Sequence, residues 1–429
     1  MGDAVARGEP DDAAAATPAR RLEPAAPGAK VTRLELFYDL VFAFAFLNVT
    51  TTSARDLGPL DVVAGFLVLS LLWFAWTSFA LLGNVIRTDQ GIMPLLGFAI
   101  MAVIFVAAMS LPEAFTDQRP GPPGDLLFAT CFLLARGLQL AIYWYALRDD
   151  PASRREWWKL GLPPLVTTSA LLTAALGPQR WFTGNAETAA RFGLWALAIA
   201  FAYTTAAVAR PDIRRTISPG HWADRHAQII LVALGESILA LGIGPNLQAG
   251  LPITWPVIGA AVLGIALVAA LWWAYFDVRD VAAEQVLRDT RGRARARLAR
   301  DAYTYLHLPM IYGIILLSVG LKQVLATIAA PPTDRHDEML GDAERYALYG
   351  GTILYALAVL AFQVRTVRRL SWFSVVVVLV LGALVPLADR LPALAALALL
   401  TTAIVAAATL QSLRTRQRRQ RLRRLRLRD

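Results

Sequence analysis

The sequence predicts an all-α fold, a polytopic transmembrane helical bundle of about twelve spans patterned as two parallel six-helix repeats. Three observations predict it. Of the 429 residues, 56% are hydrophobic and only 17% are charged, with a mean hydropathy of +0.49; a soluble globular domain carries about 25% charged residues. Apolar stretches of about 20 residues, each long enough to cross a bilayer as a helix, recur along the whole chain. Lys and Arg crowd into alternate loops, which is how membrane proteins set their orientation.

Taken in order, residues 1–30, which include GDAVARGEPDDAAAATPARR, are rich in Ala, Pro and charge and lack the apolar core of a signal peptide. They are expected to form a disordered cytoplasmic tail. The spans are expected over 34–53, 60–82, 91–111, 125–147, 157–176, 189–209, 226–244, 253–276, 303–329, 346–363, 371–388 and 391–412. The last two are joined tightly through Asp389 and Arg390, which predicts a helical hairpin. The loop over 277–302 mixes both signs of charge and reads as a cytoplasmic amphipathic helix. Residues 413–429 form a basic cytoplasmic tail, RTRQRRQRLRRLRLRD at its end. With the N-terminus inside, the inner segments hold 33 Lys and Arg and the outer ones 7. The chain is therefore expected to be multi-pass in a bacterial cytoplasmic (inner) membrane, with both termini cytoplasmic. The 31–412 membrane domain also divides into candidate halves, 31–210 and 221–412. Span two ends WFAWTSFALLGNVIRTD and span eight ends LWWAYFDVRD, and spans one and seven are entered from Arg33 and Arg225.

Composition also excludes classes of function. The net charge of +10 lies in loops and tail, which argues for anionic lipid headgroups as partners rather than nucleic acid. Cys131 is the single cysteine, so there is no internal disulfide and no multi-cysteine metal site; it reads as a small packing residue. HExxH, GxSxG and P-loop patterns are absent, and His221, His226, His307 and His336 are too scattered for a metal or haem site. No cofactor is implied.

The residues able to carry chemistry lie in two blocks. In RLELFYDLVF, Glu35 and Asp39 are four apart and share one helix face, which continues through Phe42, Phe46 and Thr50. Asp39 lies six residues past Arg33, about 9 Å along the axis and inside the apolar region. Glu35 could instead be an interfacial partner of Arg33. In HWADRHAQIILVALGESILALG, His221 and Arg225 are four apart, as are Trp222 and His226. Ten residues beyond His226 comes Glu236, about 15 Å deeper. It lies between Gly235, which would permit close helix approach, and Ser237, which could donate to it. An acid at that depth is neutral, paired or hydrated. Arg136 sits near the middle of span four with Gln139 one turn on, and Glu236 is its first candidate partner. Lys322 is expected to snorkel outward. His226 and His307 together suggest a cytoplasmic proton path.

RLELFYDLVFAFAF, RHAQIILVALGES, the LWWAYFD end of span eight and HLPMIYGIILLSVGLK in span nine resemble the bacterial low temperature requirement A (LtrA) family over about 31–410. The resemblance implies a multi-spanning inner-membrane protein of a family named for growth at low temperature. It carries no settled activity. The positions that match its motifs are Arg33, Glu35, Asp39, Arg225, His226, Gly235, Glu236 and Ser237.

Three functions remain open. A secondary transporter or ion-coupled permease would use Glu35, Asp39, Arg136, His226, Glu236 and Ser237 for an unknown small solute or ion, with Arg33, Arg225, Gly235 and His307 structural or gating. A membrane-embedded lipid-modifying enzyme would use acid and histidine pairs as general acid and base. A structural or stress-adaptation protein would use the polar groups only to join helices.

Overall fold

Helix α1 (Arg33–Ser53) begins at a capping box. The Thr32 side chain accepts from the Glu35 amide, and Glu35 Oε2 accepts from the Thr32 amide at 2.9 Å. The computed structural model describes residues 30–54, 57–115, 123–148, 151, 158–208, 217–242, 253–330 and 339–426. The expected N-terminal tail lies outside these residues except for Lys30, and so does His336. After α1 come α2 (Pro59–Gly83), α3 (Met93–Met109), α4 (Gly124–Leu147), α5 (Trp158–Leu176) and α6 (Asn185–Val208). They are followed by α7 (Pro219–Gly242), α8 (Trp255–Phe276), α9 (Leu306–Ala329), α10 (Gly351–Val367), α11 (Trp372–Ala388) and α12 (Ala393–Arg426).

Among the described residues there is no strand, and nine helices are long and apolar enough to cross a membrane. The protein is thus an all-α polytopic bundle. Two further apolar helices, Gly161–Leu176 and Trp372–Ala388, are shorter, and α6 is not among the nine. Contacts between helix ends show how the chain alternates. The starts of α1 and α7 meet through Glu35 and His221, and the end of α2 joins them through Asn84 and the Ser218 amide. At the opposite face Gln323 of α9 donates to the Ala54 carbonyl at the end of α1, and Arg191 of α6 pairs with Asp125 of α4.

Two expected boundaries shift. Helix α7 starts at Pro219, not at 226, so His221 and Arg225 are helical residues rather than loop. Polar residues continue the helix there because each finds a partner on α1. The loop over 277–302 is two helices, Arg279–Asp289 and Gly292–Leu298, running into a π-helical stretch, Ala299–Tyr305. The α11–α12 hairpin is formed, and Asp389 at its turn pairs with Arg345. The basic tail continues α12 as helix to Arg426.

Helix α9 packs against α10 at backbone contact. A Cβ on Gly313 would lie 2.6 Å from the Tyr355 amide nitrogen, one on Gly320 would lie 2.5 Å from Leu348 Cα, and one on Gly351 would lie 2.5 Å from the Leu317 nitrogen. In a membrane, where lipid tails compete with apolar side chains, close approach of this kind is a main source of helix association.

Candidate functional site

Two polar tiers lie on α1 and α7, separated by nearly three helical turns. The first sits near the starts of both helices. Glu35 and Asp39 are both buried, as their four-residue spacing requires, and Phe42, Phe46 and Thr50 extend the same buried face. Arg225, fully buried, grips Asp39 with both terminal nitrogens, at 2.7 Å to Oδ2 and 2.9 Å to Oδ1, and donates to the Glu35 carbonyl at 2.9 Å. The Trp76 indole donates to Asp39 Oδ1 at 2.8 Å, and the Arg225 guanidinium lies 5.2 Å from that ring's centre. His221 Nε2 sits 3.0 Å from Glu35 Oε1. Every carboxylate oxygen in this tier has a partner. Gly83 makes room for it: a Cβ there would fall 1.9 Å from Glu35 Oε1. Arg33 is exposed, and Glu35 pairs with His221 instead of with it.

The second tier contrasts with the first. Glu236 is 0% exposed, and neither of its carboxylate oxygens meets a hydrogen-bond partner among the described residues. The Thr50 and Ser318 hydroxyls lie beside it without closing a hydrogen bond to it, with the Lys322 ammonium at longer range. The buried hydroxyls of Thr50, Thr52 and Ser53 on α1 are likewise without partners among the described residues. Ser237 does not serve Glu236. Its hydroxyl pairs with that of Ser318 at 2.7 Å, and Ser318 donates to the Ile314 carbonyl. Gly235 does not mediate a close approach either, because a Cβ there would meet nothing within 4 Å.

Arg136 does not pair with Glu236. Its guanidinium donates to Gln139 Oε1 at 2.6 Å and lies over the Phe74 ring, and Gln139 in turn donates to the Ala75 carbonyl. No ion pair to Arg136 forms among the described residues. The i,i+3 spacing gives one guanidinium nitrogen an acceptor on its own helix, while Nε stays without a partner among the described residues, so depth alone points to the wrong partner.

His226 and His307 do come together, with ring centres 5.1 Å apart. His226 Nδ1 donates to the Trp222 carbonyl at 2.8 Å, so its Nε2 is a bare acceptor, buried and unpartnered among the described residues. His307 Nδ1 donates to the Ala302 carbonyl, an acceptor that the π-helical stretch frees, and its Nε2 faces the Tyr275 hydroxyl at 2.8 Å. Trp73 and Trp76 stack beside His226 and, with Tyr303, close an aromatic cage. Among the described residues, no group of three or more His, Cys, Asp or Glu could hold a metal ion.

Sequence reasoning missed Trp76 and Tyr275, whose roles appear only across helices, Thr32, which the T-x-x-E spacing to Glu35 marks as a helix cap, and Ser318. A serine in an otherwise apolar run, LLSVGLK, was the one signal for Ser318.

The bacterial low temperature requirement A protein (LtrA) family matches residues 30–409. A protein of Rhizobium meliloti (strain 1021), named Uncharacterized protein RA0937, is 30% identical over 336 residues, 75% of this chain and 74% of that protein. A match that spans both tiers and all the helices between them shows that the chain belongs to the LtrA family.

Proposed function

We propose that the protein is an ion-coupled secondary transporter in which Glu236 is the carboxylate that binds the coupling proton or monovalent cation. One observation carries this reading: a fully buried acid, deep in a span, with both oxygens and the nearby Thr50 hydroxyl of the facing helix unpartnered among the described residues. Buried polar groups are nearly always satisfied, so a cluster of empty acceptors is either a store of strain or a place for something that binds. A proton satisfies Glu236 by removing its charge; a cation does so by coordinating the carboxylate together with hydroxyl oxygens of Thr50 and Ser318.

The first tier takes a different role in this reading. Asp39, with every lone-pair direction toward Arg225 and Trp76 in use, is a latch that holds α1 to α7. Glu35 and His221 seal the same end. The latch fixes the register of the two helices whose deeper turns carry the unfilled cluster, so movement between them would open that cluster to one face. Arg136, Ser237, His226 and His307 support the helices around it rather than bind the ion, and the Lys and Arg bias of the loops supports cytoplasmic termini in an inner membrane.

The test is flux. Full-length protein is reconstituted in liposomes that contain a pH-sensitive dye, and proton, Na⁺ and K⁺ gradients are imposed in turn. Wild-type vesicles are expected to move the coupling ion, and Glu236→Gln is expected to reduce that movement at least about tenfold, the loss of a buried charged ligand. Equal flux through the two proteins refutes the reading.

A further inference from the structure

A second unbalanced charge lies far from Glu236, at the face where α1 begins. Arg279 starts the Arg279–Asp289 helix and is 9% exposed, enclosed by the ends of α8, α10 and α12 and the start of α11. Its donors all go to neutral acceptors. Nε donates to Gln363 Oε1 at 3.1 Å, Nη1 to the Ala274 carbonyl, and Nη2 to Gln411 Oε1 at 2.8 Å and Ser374 Oγ at 3.2 Å. No carboxylate lies within ion-pair distance of it among the described residues. A buried guanidinium cannot shed its proton. Asp277 acts on it only at longer range, so these four bonds hold the fork in place without a paired anion, which a buried charge needs.

The space beside it is built to receive the missing anion. A cavity of about 130 Å³ opens along Arg279, Gln363, Thr366, Ser371, Gln411 and Arg414, roughly ten times the ~10–15 Å³ that holds one water. Arg279 keeps one N–H uncommitted. Ser371 Oγ accepts from the Ser374 amide and hydroxyl, so its own proton is free to donate. At the mouth Arg414 lies over the Phe373 ring, 4.7 Å from its centre, and has no hydrogen-bond or ion-pair partner among the described residues. Two guanidinium groups and a hydroxyl converging on one cavity match a phosphate, whose oxygens take forked N–H donors.

The surroundings choose the source. The mouth is flanked by Leu370, Trp372 and Leu413, all large and exposed. Exposed tryptophan and leucine at the end of a spanning bundle sit against acyl chains and headgroups, not in free water. We propose that this cavity binds the phosphate of an anionic phospholipid, with Arg279 as its buried floor and Arg414 as its mouth, so that the lipid joins α8, α10, α11 and α12 at one face. The site is independent of Glu236 and stands or falls without the transport reading.

The test uses the full-length protein in detergent, titrated with phosphatidylglycerol, with phosphatidylcholine and with inorganic phosphate, and read by native mass spectrometry and thermal shift. Phosphatidylglycerol is expected to bind and to raise the melting temperature, and the other two are not. Arg414→Gln touches no structural partner but the Phe373 ring, so it folds, and it should weaken phosphatidylglycerol binding about tenfold. Arg279→Gln should lose the thermal shift altogether. Arg293→Gln, an exposed cation on the neighbouring Gly292–Leu298 helix, should match wild type. Unchanged binding in Arg414→Gln, or an equal loss in Arg293→Gln, overturns the site. Protection by inorganic phosphate alone, at millimolar concentration, overturns the lipid in favour of a soluble phosphate.

Discussion

Asp39→Asn tests the latch between α1 and α7. Asparagine keeps the shape but presents one oxygen and one NH₂. The oxygen can take Trp76 Nε1 or one nitrogen of Arg225, not all three donors that now surround the carboxylate at 2.7–2.9 Å. The NH₂ then faces a guanidinium donor at hydrogen-bond distance. Arg225 is 0% exposed and keeps its charge, so the change removes an anion and leaves a cation in a site closed to solvent. Breaking a buried pair from one side costs about 3–5 kcal/mol. With an unfolding entropy of about 2.1 cal/mol/K per residue, that lowers the melting temperature of a cooperatively unfolding chain of this size by about 3–5 °C. Arg225→Leu, which strands Asp39 in the same way, should cost a similar amount. The Asp39→Leu, Arg225→Leu double variant should cost less than the sum by about 2 kcal/mol or more, since neither member of the pair is then left stranded and Glu35 keeps His221. Fluorescence-detected size exclusion after heating reads all three. Additive losses, or an Asp39→Asn protein that melts within about 1 °C of wild type, would refute the latch.

Two glycines give opposite expectations. Gly320→Ala places a methyl group 2.5 Å from the Leu348 backbone, which is part of a helix and cannot swing aside; it should destabilise by about 1–3 kcal/mol, seen as a lower melting temperature and a poorer monodisperse yield. Gly235→Ala adds a methyl that meets nothing within 4 Å in the interior of α7, so it should leave the protein as stable or raise stability by about 0.5–1 kcal/mol. If Gly235→Ala melts early, the empty surroundings of that residue in this conformation are not the whole of its structural role. Glu236→Gln should fold at least as well as wild type, because the amide puts no charge in that buried position; a large loss of stability would mean that the carboxylate is structural and would count against its role in transport.

How much of this was legible depends on whether the partner lay on the same helix. The buried stripe of α1 followed from spacing alone: Glu35, Asp39, Phe42, Phe46 and Thr50 recur at nearly one turn, and all are buried. The membrane class followed from composition, and the family from two short blocks. The start of α7 did not, because His221, Asp224 and Arg225 look like loop until Glu35 and Asp39 are brought across from α1. Gly235 looked like a contact and is not one, since a glycine's neighbours are set by the helix opposite. Arg136 looked as though it needed an acid, and Gln139 one turn away suffices to bond it. Arg279 looked like one more cation in a basic loop. Its burial depends on how four helix ends converge, which no local pattern encodes.

The contrast between satisfied and unsatisfied polar groups is what separates structure from function in this bundle. Were the buried charges mere glue, evenly distributed hydrogen bonds would be expected, each worth about 0.6–2 kcal/mol in a membrane. Instead the bonding is concentrated. Both oxygens of Asp39 are bonded, while both oxygens of Glu236, on the same helix as Arg225, and the hydroxyl of Thr50, on the helix that Asp39 anchors, have no hydrogen-bond partner among the described residues. A helix that spends its donors on one turn and leaves acceptors bare three turns on is rigid at one end and incomplete at the other. The ion pair holds α1 to α7 about three turns from Glu236. Under the transport proposal, the Asp39–Arg225 pair sets the spacing of α1 and α7, so ion occupancy at Glu236 would be tied to the separation of the two helices.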